Sequence, residues 1–135
     1  MGLIEDYSKF IFLAIGVFWT LLFLQSGFDK VIDWKGNISW LKGHFEKSFL
    51  GAFVKPLVGI LAITELVAGL LCAGGTIQVL LAGKTYWLIQ GLFVSVISLL
   101  MLFFGQRLAK DYEGAKTIAI YFGVSLISLS LLLNA

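Results

Sequence analysis

The sequence predicts an all-α protein: a four-transmembrane-helix bundle with an amphipathic interfacial helix between spans 1 and 2. Three observations lead there: an apolar composition, four long runs almost free of charge, and one long connection of mixed character. Hydrophobic residues make up 59% of the 135 and charged ones 13%. A soluble domain of this size is mostly surface, and about a quarter of its residues are normally charged. The outer surface therefore faces something other than water, and lipid is the simplest partner.

The runs fix the spans. Residues 10–28, 85–106 and 117–135 carry no charge, and residues 56–83 carry one, Glu65. About 20 apolar residues cross the hydrocarbon core as a helix. Lipid offers the backbone no hydrogen bonds, so such runs must be helical. The expected spans are 10–28, 56–75, 85–106 and 117–134, in a single integral membrane domain covering residues 1–135. Span 1 is expected to stay attached, because Glu5 and Asp6 precede it without a basic cluster and no small-x-small cleavage site follows. Pro56 suits the first turn of span 2, where its missing N–H costs nothing. Gly74-Gly75 is expected to end or bend that span. Residues 76–84 are then either a tight return or the first turns of the next helix.

The connection 29–55 holds the amphipathic segment, expected over 37–53. Asn37 is a candidate cap. Ile38, Leu41, Phe45, Phe49 and Phe53 follow at three- and four-residue spacing, with most lysines elsewhere. Such a helix lies among headgroups, or closes the mouth of the bundle as a lid. Lys30, Lys35, Lys42, Lys47, Lys55, Arg107, Lys110 and Lys116 flank one side of the bilayer, and only Lys9 and Lys84 the other. The positive-inside rule then puts loops 29–55 and 107–116 in the cytoplasm.

Glu65 is the leading candidate for function. It lies nine positions beyond Pro56, roughly 13 Å into the span at 1.5 Å per residue. A charge there costs about 3 kcal/mol or more on insertion scales. Leu61, Ala62, Ala68, Gly69 and Cys72 share its helical face, and the small size of Ala62, Ala68 and Gly69 marks a helix–helix contact that turns Glu65 inward. Gln25, Ser26, Asp29, Lys30, Gln106, Arg107 and Tyr121 fall toward the same membrane face. Together they define a candidate polar pocket for a proton or an amphipathic ligand. The alternative is a structural Glu65, protonated or paired with Arg107 or Gln25. Gly91, Ser95, Ser98, Ser125 and Ser128 read as close-packing residues, Cys72 as inert core, and His44 as an interfacial polar residue.

One cysteine and one histidine exclude an internal disulfide, a Cys-x-x-Cys pair, a zinc cluster and bis-histidine haem ligation. No cofactor site is encoded, no metal is expected, catalytic residues are unknown, and the chain is not expected to be an enzyme on its own.

Span 1 ends Phe23-Leu24-Gln25-Ser26-Gly27-Phe28-Asp29-Lys30, span 2 carries Ile63-Thr64-Glu65-Leu66-Val67-Ala68-Gly69, and span 3 ends Phe104-Gly105-Gln106-Arg107. This arrangement resembles the DoxX family of small bacterial four-helix membrane proteins, with Gly27, Lys30 and Glu65 matching its pattern. The resemblance implies a location in the cell inner membrane and association with a redox, quinone-linked complex. A partner subunit would supply the electron-carrying cofactor. Two other readings stand beside it: a proton or small-solute carrier acting as a homo-oligomer, and a non-catalytic scaffold or assembly factor. The lipid bilayer is the expected partner in all three, and nucleic acid in none. A reporter fused after Ala135 tests the orientation: it should be active only outside the cytoplasm, and cytoplasmic activity would reverse the assignment.

Overall fold

A computed structural model describes residues 2–45, 54–108 and 110–134. Five helices account for them: α1 (Gly2–Ile32), α2 (Trp34–Phe45), α3 (Val54–Ala82), α4 (Tyr86–Leu108) and α5 (Tyr112–Leu133). All but α2 are long and apolar enough to cross a membrane, which makes the chain a multi-pass membrane protein. Their outer faces carry exposed Phe10, Leu21, Ile63, Leu81, Ile97 and Ile127. That pattern costs free energy in water and none in hydrocarbon.

The helices run past the apolar runs because polar residues at the rims extend and cap them. Asp111 accepts from Gly114 N at 3.1 Å and starts α5, so the turn between α4 and α5 is much shorter than residues 107–116. Lys110 takes a left-handed φ of 59° in that turn. The α3–α4 turn holds Gly83 at φ 68°, with its N–H bonded to Val79 O at 3.0 Å. That is the usual glycine stop of a helix.

The expectation that span 2 ends at Gly74-Gly75 is corrected. Residues 76–82 belong to the helix of span 2, which neither ends nor starts anew at the glycines. The two glycines differ in surroundings. Gly74 has open space, whereas a Cβ on Gly75 would meet the backbone of Leu88. Gly75 serves close packing, and only Gly83 serves the turn.

Neighbouring spans pack in chain order, α1 on α3, α3 on α4 and α4 on α5. Small residues set the approach. A Cβ on Gly91 would lie 2.7 Å from Cys72 Sγ and 2.9 Å from Cys72 N. Gly27 receives the Leu66 side chain, and Gly69 the Leu24 side chain. Trp19 fills the centre, fully buried, stacked on Phe23 with ring centroids 5.8 Å apart. Its Nε1 donates to Ser128 Oγ on α5 at 3.4 Å.

The amphipathic helix starts earlier than its sequence suggests. Asp33 precedes α2 and folds its carboxylate toward Gly36, so Asn37 lies inside the helix and is not its cap. Buried Ile38 and half-buried Trp34 pack on Val58 of α3, while Lys35 and Lys42 are exposed. The side chains of Leu41, His44 and Phe45, and all of residues 46–53, lie outside the described residues.

Gly91→Ala should destabilise the bundle by about 1–3 kcal/mol, because its Cβ has no room against Cys72. Gly74→Ala should be neutral, or stabilising by up to about 1 kcal/mol through helix propensity. Unfolding in mixed micelles measures both, and equal effects at the two positions would contradict the close α3–α4 approach.

Candidate functional site: a buried ion pair between the first and second spans

The site begins with helical phase on α1. Phe23, Ser26, Gly27 and Lys30 recur at three- and four-residue spacing, on the face that meets α3. The Gly27–Leu66 and Leu24–Gly69 contacts fix an antiparallel register. In that register Ser26 and Lys30 bracket the height of Glu65.

Glu65 is fully buried and satisfied from α1. Ser26 Oγ donates to its Oε2 at 2.8 Å. Lys30 Nζ lies 3.0 Å from Oε2 and 3.2 Å from Oε1, and 3.0 Å from Ser26 Oγ. The pair is asymmetric: the Lys30 side chain is 15% exposed and that of Glu65 not at all. Burial strengthens their mutual attraction, since little solvent intervenes, and raises the penalty if either loses its partner.

The depth of the acid depends on the helix from which it is measured. Glu65 is eleven residues beyond the start of α3 at Val54, about 16 Å along the axis at 1.5 Å per residue. Lys30, which holds it, is two residues from the end of α1 at Ile32. The ammonium therefore enters the bundle from a nearby rim. A long lysine stem suits this geometry, because it keeps its charge close to the polar edge.

Of the candidate pocket residues, the structure brings Ser26, Lys30 and Glu65 together. Gln25, Gln106, Arg107 and Tyr121 have other surroundings. Gln25 is exposed on α1 and turned away from the Ser26–Lys30 face, and Asp29 is also exposed. Arg107 is exposed at the end of α4, with its guanidinium 4.8 Å from the Tyr112 ring centroid. Tyr121 packs against the central apolar cluster. Gln106 lies beside Gly114 at the α4–α5 turn. The alternative in which Glu65 pairs with Arg107 or Gln25 gives way to pairing with Lys30 and Ser26, because α1 lies directly against α3.

Gln78 has a role that no local pattern in the sequence signals. Its Oε1 accepts from Trp87 N at 3.0 Å and satisfies an amide at the start of α4. Cys72 is buried against Gly91, as expected for core. Among the described residues there is no His/Cys/Asp/Glu group able to hold a metal ion.

Removing one partner of the pair should cost more than removing both. Lys30→Met strands a buried carboxylate and should lose about 3–5 kcal/mol. The double variant Lys30→Met/Glu65→Leu should recover most of that loss. Thermal unfolding in lipid nanodiscs distinguishes these cases, and additive losses would show that the two side chains do not interact.

No protein family, curated protein or solved structure matches this chain, so the reading of the site rests on its geometry and chemistry.

Proposed function

We propose that this chain is a DoxX-like membrane subunit, whose Lys30–Glu65 pair receives the polar headgroup of an amphipathic, quinone-type molecule next to a redox partner. The observation that carries the reading is the asymmetry of the pair. A buried carboxylate is matched with a cation that remains partly accessible from one rim. A carbonyl oxygen needs a donor, and Lys30 Nζ has three hydrogens to distribute between Glu65, Ser26 and such a ligand. Reduction of a quinone takes up protons, and the quinone supplies that chemistry when bound. The chain contributes a donor at Lys30 and a carboxylate at Glu65 able to hold a proton. Electrons come from a partner that carries its own cofactor. The cell inner membrane and cytoplasmic loops 29–55 and 107–116 belong to the same reading.

A scaffold reading has one observation of its own in its favour: Ser26 and Lys30 satisfy Glu65 without any ligand. Photoaffinity labelling separates the two. Reconstituted protein exposed to a photoreactive quinone analogue should be labelled on α1 or α3, and excess unlabelled quinone should suppress the labelling. Lys30→Met/Glu65→Leu, folded as judged by its melting transition, should reduce labelling at least about tenfold, equivalent to 1.4 kcal/mol of binding. Labelling that does not saturate, or that survives in the double variant, leaves the scaffold.

A further inference from the structure

The ion pair joins two helices, but a third reaches the same level. α3 and α4 touch where Cys72 meets Gly91, and the Ser95 hydroxyl lies beside the Cys72 thiol. Seven residues back along α3 is Glu65, and seven on along α4 is Ser98. In antiparallel helices both steps run the same way. Seven residues are close to two full turns, so the facing direction is kept. Ser98 is therefore presented toward α3 at the height of Glu65.

Ser98 is fully buried, and among the described residues its Oγ has no hydrogen-bond partner. This sets it apart from the other interior serines. Ser95 turns its hydroxyl back to Gly91 O at 2.7 Å, and Ser125 to Phe122 O at 2.6 Å. Ser128 accepts from Trp19. A buried hydroxyl without a partner is costly, and natural proteins rarely leave one. Glu65 has the complementary capacity. Its Oε2 accepts from both Ser26 and Lys30, whereas Oε1 accepts from Lys30 alone. A carboxylate offers about four lone-pair positions.

We propose that Ser98 and Glu65 together hold one small oxygen ligand between α3 and α4, making the site a three-helix one. The hydroxyl of Ser98 donates to the ligand oxygen on one side, and Oε1 of Glu65 accepts its hydrogen on the other. Water has this chemistry, and so does the protonated oxygen of a reduced quinone-type headgroup. The inference rests on the reading of Glu65 as the acid of the site. It adds the α4 contact and the ligand's required pattern: one acceptor position and one donor hydrogen on the same oxygen.

Infrared difference spectroscopy in lipid tests this. Subtracting Glu65→Gln from the wild type isolates the Glu65 carboxylate band. Ser98→Ala, which removes one oxygen and preserves packing, should shift that band, and Ser98→Thr should restore it. Ser125→Ala should leave it in place. If water is the ligand, the band responds to H2(18)O without any quinone. If a headgroup oxygen is the ligand, it responds only when a reduced quinone analogue is added. A Glu65 band identical in wild type and Ser98→Ala, with and without the analogue, overturns the proposal and leaves Ser98 back-bonded to its own helix. Labelling that fails while the Ser98-dependent shift persists removes the quinone reading and keeps water as the ligand. Labelling that persists while the shift is missing removes Ser98 alone.

Discussion

Lys30 and Glu65 constrain the placement of the first two spans more tightly than any apolar contact around them. Leucine against leucine is no better than leucine against lipid, so apolar packing alone gives a membrane bundle little preference for one helix rotation. A buried carboxylate is different, because it has few acceptable surroundings. It requires α1 to present Ser26 and Lys30 toward α3. That rotation turns Phe23 inward beside Trp19 and sets Gly27 against Leu66. The glycines then permit the backbones to approach without steric conflict. Charge selects the face and small residues set the distance.

The position of the pair also accounts for the chain's course after α1. That helix ends two residues beyond Lys30, and α2 begins at Trp34. α3 continues toward its start at Val54, and its exposed flank there is partly covered by Ile38 and Trp34. A lysine further from the end of α1 would need a deeper, drier site. Near the end, its stem lies along apolar surface while its head remains within reach of the rim.

The spans could be read from sequence because hydrocarbon thickness sets a length that composition reveals directly. Glu65 stood out for the same reason, as a charge where charge is costly. Its partner is less legible. Lys30 belonged to the expected rim group, but Arg107 and Gln25 were equally reasonable partners without the register between spans. That register comes from Gly27, Leu24 and Gly69 meeting across two helices, a tertiary fact invisible in either segment alone. Gly74 and Gly75 make the same point at closer range. They are identical neighbours in sequence, yet one faces open space and the other faces α4. Ser98 read as one packing serine among several, and only its missing partner separates it from the rest.

The order of packing leaves a distinct seam. Contact runs from α1 through α3 and α4 to α5, and the first and last spans are bridged by Trp19 and Ser128 at 3.4 Å, a long hydrogen bond. Toward the N-terminal end of α1 and the C-terminal end of α5 a groove of about 520 Å³ opens between Phe12 and Leu131, with Ser8 and Asn134 at its margin. Acyl chains pressing on this side of the molecule would act on the α1–α5 edge, away from the α1–α3 contact that holds the acid.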